Sequence, residues 1–437
     1  MTGFLNKSKE NCRILSENEV VEGFDRMKKE ILPTFREDKR KFESTGIMPS
    51  YYASVFFQSE AALKKPELNP CLEIKLDAMV DEVHLRESLV KACKVCPYVT
   101  YSIEIRKNSV PPVYFKKTNT DLQPFEMDRI KEFGTAENDG HYVIVSYRDD
   151  TIKVQVSHLL TDGHGIHFFA GVLLNIYLGK TQDMQYISEE DDYVADLMAR
   201  KLPLSDGYES KNYCVKDHFL IPEAEGVSGA SFIQSFCVDF EQVKNFCKRN
   251  SISMQVCTTL FMALAIMKVN PENEKVISIR GAVDTRKILG VQNTFQNASA
   301  PHLFFNVDAN KIKEGAISEI CASLMSDMKG QLTYDNIADF TNRLAQYNFV
   351  NDADEKKQIV ISYKLQTDIF ANYLGELLPS VESEHILSVS NKLGASYPLM
   401  LYTTKIGDKA KFLFISTFEA DSYVEAMKTV LSDNQIQ

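Results

Sequence analysis

The feature that most constrains this chain is a change of hydrophobic period inside one short stretch. Residues 142–147 and 152–157 are β-branched and aromatic runs, and the polar turn Arg148-Asp149-Asp150-Thr151 lies between them, so the pattern predicts a β-hairpin. In the second run Ile152, Val154, Val156 and His158 fall on one face by the period-2 rule, and Lys153, Gln155 and Ser157 on the other. After Gly165 the period becomes helical: Ile166, Phe169, Ala170, Leu173 and Tyr177 form one stripe. A strand, a turn and a helix therefore bracket Ser157-His158-Leu159-Leu160-Thr161-Asp162-Gly163-His164-Gly165.

His158 is predicted to project from an apolar face as its strand ends. Burial disfavours the imidazolium, so the ring is expected to be neutral and able to accept a proton near pH 7. That suits a general base acting on a hydroxyl or an amine. The same residue also reads as a core histidine bonded to a backbone carbonyl. His158, Asp162, His164 and His167 together suggest a metal site as an alternative, since His164 and His167 could share a helix face. Against it, Gly163 and Gly165 interrupt helical register, and no metal is expected.

The chain has 437 residues, more than one ordinary core accommodates, so two domains are expected. Its 44% hydrophobic and 25% charged content fits a globular protein, and its net charge of −11 argues against a general nucleic-acid binder. A polyanionic co-substrate would need a local basic patch. The nine cysteines are scattered, and Cys93 and Cys96 have no second CxxC to make a zinc signature. Their odd number, and a start (MTGFLNKSKENC) without signal-peptide character, suggest reduced thiols and a cytoplasmic location. The apolar stretch 256–269 is too short to span a membrane.

Along the chain, residues 1–50 read as charged and helix-prone. A strand over 71–77 is followed by a helix that Asp81 can cap and Pro97 ends. Strands are expected near 98–106 and 112–116. Residues 179–228 contain a charge run at 188–192 and several prolines and glycines, which predicts a solvated crossover. The second half reads as a strand over 231–240, helices over 240–249 and 254–269, a strand over 275–282 and helices near 313–330 and 335–349. Strands near 360–371, 397–404 and 411–417 and a helix over 421–432 complete it. Strands and helices are mixed rather than alternating, which favours an α+β layered fold.

Four segments, in order, resemble the two-domain HxxxDG acyltransferase superfamily, which includes BAHD-type enzymes, condensation domains of peptide synthetases and chloramphenicol acetyltransferase. They are His158-Leu-Leu-Thr-Asp162-Gly163, Val283-Asp284-Thr285-Arg286, Thr294-Phe295-Gln296-Asn297, and Asp368-Ile-Phe-Ala-Asn372-Tyr373-Leu374-Gly375. The stand-alone microbial alcohol acetyltransferases are the most similar type. Ser157 stands where condensation domains usually carry a first histidine, and a plant-type DFGWG segment is absent.

The resemblance implies two chloramphenicol-acetyltransferase-like α/β sandwich domains with mixed sheets, over 1–185 and 229–437, joined by a crossover over 186–228, with an active-site tunnel at their interface. It implies transfer of an acyl group, in the simplest case acetyl, from acyl-CoA as co-substrate to a small alcohol or amine, with His158 as general base and no acyl-enzyme. Asp162 would pair with Arg286 rather than relay charge to His158, and Gly163 would permit a tight turn and close substrate approach. Asn297, Asn372 and Tyr373 are the oxyanion or acceptor-side candidates, and Lys287 is a candidate for a CoA phosphate. An acyl carrier protein as donor partner and a non-catalytic fold relative are the remaining alternatives.

Overall fold

The computed structural model describes residues 69–105, 113–116, 118, 120–180, 202–213, 215–224, 232–289, 295, 297–349, 367–378, 381, 385–392 and 397–437, together with Pro66. The expected helices in 1–50, the charge run at 188–192, the start of the strand expected from 360, and Thr294 and Gln296 lie outside the described residues.

In chain order, β1 (Cys71–Leu76) leads into α1 (Glu82–Val95), which starts where the Asp81 side chain accepts from the His84 N–H and stops before Pro97. Residues 97–100 form a single helical turn rather than the expected start of a strand. β2 (Ser102–Ile105) and β3 (Val113–Lys116) make a separate two-stranded sheet. β4 (Pro124–Glu126) is followed by the hairpin of β5 (Val143–Arg148) and β6 (Thr151–Val156), whose tight turn places Asp149 at φ 52°. The loop carrying His158 then runs into α2 (Gly163–Tyr177).

The second half opens with β7 (Phe232–Asp239), α3 (Phe240–Arg249), α4 (Met254–Val269) and β8 (Ile277–Asp284). A one-turn helix at Arg286–Leu289 precedes β9 (Ser299–Val307), α5 (Ile317–Gln331) and α6 (Tyr334–Phe349). β10 (Ile369–Glu376), β11 (Ile386–Lys392), β12 (Leu399–Ile406), β13 (Lys409–Ser416) and α7 (Asp421–Asp433) end the chain.

Two mixed sheets organise these elements. The first has strand order β11-β1-β6-β5-β4 and is antiparallel except between β4 and β5. The second has order β7-β13-β12-β10-β8-β9, with β8, β10 and β12 mutually parallel and the outer pairs antiparallel. Each sheet covers its own core. Val154, Leu85, Leu89, Phe169 and Leu173 bring β6, α1 and α2 together in the first. Leu260, Phe261, Ile279, Phe305, Leu401, Phe414 and Tyr423 do so for the second. α4 is apolar on nearly every side because it lies between α7 and the sheet.

Three segments of the second half cross to the first. β11 pairs with β1 as an edge strand of the first sheet. Leu377 and Leu378, just past β10, are buried in the first core, as is Phe295. The end of β8 also heads there and carries Arg286. The His158 loop thus lies where ends of two parallel strands of one sheet meet the strand–helix turn of the other, the kind of crevice in which open sheets hold their ligands.

β9 is the outer edge of the second sheet, and α5 covers that edge with a side chain. Gln331, fully buried, accepts the Phe304 N–H at 2.9 Å and donates to the Phe304 carbonyl at 2.8 Å. These bonds satisfy a strand edge that would otherwise be left unpaired inside the protein. Gln331→Leu keeps the volume and removes both bonds. It is expected to lower unfolding free energy by about 1–3 kcal/mol, read from a urea midpoint, with a near-zero change counting against this role.

Candidate active site

The His158 loop is held through its backbone. The His158 N–H donates to Asn69 Oδ1 at 2.7 Å, and its carbonyl accepts from Asn297 Nδ2 at 3.0 Å. The ring is held through Nδ1, which lies 2.9 Å from the Thr161 carbonyl oxygen and 3.1 Å from Asn297 Nδ2. These two neighbours demand opposite tautomers. A carbonyl only accepts, and a bare nitrogen at that distance would face it lone pair to lone pair. Asn297 Nδ2 already has the His158 carbonyl, and its orientation is set by Oδ1, which accepts the Ser299 N–H at 3.2 Å. We therefore assign the proton to Nδ1, donated to Thr161, which leaves the basic lone pair on Nε2. The residue as a whole is part-buried, and its ring is densely surrounded. Burial holds its pKa below 6.5, against the raising effects of the Thr161 carbonyl and the Asp162 charge.

Asp162 is fully buried and gives its oxygens to groups other than that ring. Arg286 donates from Nη1 to Oδ2 at 2.9 Å and from Nη2 to Oδ1 at 3.0 Å, a two-pronged pair with both side chains almost without exposure. Oδ2 also accepts from the Ala298 N–H at 2.8 Å and Ser299 Oγ at 2.9 Å, and Oδ1 caps α2 by accepting the Gly165 N–H at 3.1 Å. Burial alone would raise the carboxyl pKa. The Arg286 charge and its hydrogen bonds, with the Ala298 N–H, outweigh it and hold Asp162 ionised well below the usual carboxylate range. Arg286 is in turn steadied by Asp284, whose Oδ1 accepts from Nη1 at 3.0 Å.

Glycine is sterically required at Gly165. A Cβ there would lie 1.7 Å from Thr161 Oγ1 and 2.8 Å from the Phe295 carbonyl oxygen, and Thr161 Oγ1 itself donates to that carbonyl. Gly163, expected to form a tight turn, instead begins α2 outside the positive-φ region, and a Cβ there would meet nothing within 4 Å. Its open side is the space a ligand could approach.

The remaining sequence candidates separate. Asn297, expected on the oxyanion or substrate side, is fully buried, and its Nδ2 donates to the His158 carbonyl at 3.0 Å and lies 3.1 Å from Nδ1. Asn372 and Tyr373 are neighbours on β10 and so project to opposite faces of the second sheet. Asn372 lies beside Tyr402, with Oδ1 buried and without a hydrogen-bond partner among the described residues. Tyr373 is half-buried on the α4 side, where burial first and then Glu376 raise its phenol pKa. Lys287 is exposed, one residue past Arg286.

The four-residue metal constellation does not assemble. Asp162 is bound to Arg286. His164 is exposed with Nδ1 3.6 Å from Asp284 Oδ2, and His167 Nδ1 accepts the Leu378 N–H at 3.4 Å. Burial, then the neighbouring His164, push the His167 pKa down to about 4. Among the described residues no group of three or more His, Cys, Asp or Glu side chains is arranged to hold a metal. Sequence reasoning missed Asn69, Thr161, Gly165, Ala298 and Ser299. Thr161 and Gly165 lie inside the motif and were open to a steric argument; Asn69 is brought in by the fold alone.

No protein-family model matches this chain, and no curated protein does. Solved structures match over nearly its whole length. TRI101 of F. graminearum, complexed with coenzyme A and T-2 mycotoxin, aligns at a TM-score of 0.57 and 12% identity, covering 88% of this chain and 97% of that one. TRI3, the trichothecene 15-O-acetyltransferase of Fusarium sporotrichioides, aligns at 0.60 and 12% identity over 89% and 94% of the two chains. The epimerization domain from the third module of tyrocidine synthetase B aligns at 0.58 and 12% identity over 89% and 99%. The chain shares the mixed α+β fold of these structures.

Arg286→Ala would leave the buried Asp162 charge unpaired. It is expected to cost about 3–5 kcal/mol in denaturant unfolding, and an unchanged midpoint would remove the ion pair from the account. The pH dependence has a definite sign. The folded pKa of Asp162 lies below its ordinary 3.8, so its stabilisation is complete above that value and is lost as pH falls through it. Wild type should therefore lose more stability than Asp162→Asn between neutral pH and acid; parallel curves would contradict this.

Proposed function

We propose that this chain is an acyltransferase that moves an acyl group, acetyl in the simplest case, from the thioester of acyl-CoA to a hydroxyl or amine of a small molecule. The observation that carries this reading is the hold on His158. With Nδ1–H on the Thr161 carbonyl, the basic lone pair falls on Nε2, and the pKa that burial lowers keeps the ring neutral near pH 7. The similar structures support it at the level of the fold: TRI101 is complexed with coenzyme A, and TRI3 is an O-acetyltransferase.

In this mechanism His158 takes the proton from the acceptor O–H or N–H as that atom attacks the thioester carbonyl. The tetrahedral oxyanion collapses, the C–S bond breaks, and the imidazolium returns the proton to the departing thiolate. Acyl thioester and acceptor thus become acylated acceptor and free thiol, with His158 regenerated and no acyl-enzyme. Asp162 stays ionised on Arg286 and does no proton transfer. Asn372, whose Oδ1 lacks a partner among the described residues, is the polar group on the second sheet we assign to substrate contact, and exposed Lys287 is the candidate for a CoA phosphate. The likeness to a peptide-synthetase domain also makes a carrier-protein-borne donor worth testing.

The experiment is release of free thiol from a panel of acyl-CoA donors and from acylated carrier protein, with and without alcohols and amines. Acceptor-dependent release is expected, and His158→Ala should reduce it by about 10²–10⁴-fold while leaving the unfolding midpoint near wild type. Full activity in that variant would sink the mechanism. Because the active base is the neutral ring and its pKa lies below 6.5, kcat/KM should fall only on the acid side of that value. An acid limb centred well above 6.5 would assign the base elsewhere.

A further inference from the structure

β8 and β10 begin as parallel neighbours and then part. Their ladder pairs Ile279 with Ile369 and Arg280 with Phe370, and stops. The same register, continued, would set Gly281 beside Ala371 and Ala282 beside Asn372. Instead a side chain from the first turn of α4 enters the ladder. Gln255 Nε2 donates to the Ala371 carbonyl at 2.9 Å, and Gln255 Oε1 accepts the Tyr373 N–H at 2.8 Å. In a parallel sheet one residue of the adjacent strand makes this pair of bonds, to the carbonyl before and the amide after the residue it faces. The residue so faced is Asn372, and the residue of β8 displaced is Ala282.

The pairing of β8 with β9 also changes register at this level: between Gly281↔Leu303 and Val283↔Ala300, β9 carries one residue more than β8, a bulge on β9 opposite Ala282. Gly281 itself is outside the positive-φ region, yet a Cβ on it would lie 3.0 Å from Gln255 Nε2 and 3.2 Å from the Ala371 carbonyl oxygen. A side chain there would press on the inserted amide and on the Ala371 carbonyl. Past the bulge, Val283-Asp284-Thr285 leaves the neighbourhood of β10 and delivers Arg286 to Asp162. Gln255 is itself steadied by Thr259, whose Oγ1 donates to the Gln255 carbonyl and lies 3.4 Å from Nε2.

We propose that Gln255 is a positioning residue for the His158 site: its carboxamide takes the place of β8 opposite Asn372, so that the end of β8 is released from the second sheet to carry Arg286 to Asp162. Without it, the Ala371 carbonyl and the Tyr373 N–H would draw β8 back into register, and Arg286 would be pulled from the loop that orients the imidazole. The kinetic part of this proposal rests on the acyltransferase reading; the structural part does not.

The test is Gln255→Leu, which keeps the volume and removes both bonds, read by amide hydrogen exchange and by kinetics on the full chain. Exchange in residues 283–289 should rise by about tenfold while the β12–β13 hairpin stays as in wild type. kcat should fall by about a hundredfold, as a displaced catalytic group predicts, with KM for the acyl donor little changed. Gly281→Ala presses on the same contact from β8 and is read in the same way, so the outcome does not depend on Gln255→Leu folding. Unchanged exchange over 283–289 in the folded variant overturns the proposal. So does faster exchange with wild-type kcat, which would make Gln255 a filler of two backbone groups and nothing more. If wild type transfers no acyl group to any acceptor, the acyltransferase reading falls, and the exchange measurement alone decides the role of Gln255.

Discussion

The ion pair of Asp162 and Arg286 joins the two halves of this protein at its centre. One partner caps a helix of the first half, and the other opens the one-turn helix just past β8 in the second. A carboxylate without exposure is tolerable only with its charge matched and its lone pairs filled, and here two guanidinium nitrogens, two backbone amides and a serine hydroxyl do so. That requirement draws Asp284, Arg286 and residues 297–299 onto the His158 loop. Ala298 and Ser299, which bond Asp162, flank or adjoin Asn297, which bonds His158. Structural electrostatics and the orientation of the imidazole are thus consequences of one contact.

This arrangement divides labour between two acidic and basic groups that lie close in sequence. Asp162 is held charged by Arg286, and His158 is held neutral by burial. The two are not a relay, because the ring's Nδ1 proton goes to a backbone carbonyl, and an uncharged acceptor leaves the imidazole less basic than a carboxylate would. A base of modest strength suits the proposed transfer, in which the same group returns the proton to a thiolate.

Much of the architecture could be read locally. The hairpin over 142–157, the helices over 240–249 and 254–269 and the closing helix follow from period, caps and turn residues, because their apolar faces repeat at a fixed spacing. β9 and β11 escaped. β9 carries Pro301, which reads as a break in a run but is tolerated on a sheet edge. β11 buries Val389 while Leu387 is exposed, and it joins the sheet of the other half, a pairing no local pattern announces. The site divides in the same way. His158, Asp162 and Arg286 stand in recognisable segments, whereas Asn69 and Gln255 carry no signal beyond ordinary polar residues. Asn297 stands in a recognisable segment too, but its bond to the His158 carbonyl is set by the tertiary fold.

The amino-acid sequence by itself determined most of the elements, that a histidine follows a strand ahead of a capped helix, and that charged groups able to pair exist in both halves of the chain. Periodicity and capping act over a few residues, so a linear pattern contains them. Only the tertiary structure decided that Arg286 reaches Asp162, that the imidazole proton rests on Thr161, and that a glutamine amide stands in for a strand beside Asn372. Those outcomes depend on which long-range partners satisfy buried polar groups at the same time, and that is a property of the closed fold rather than of any segment.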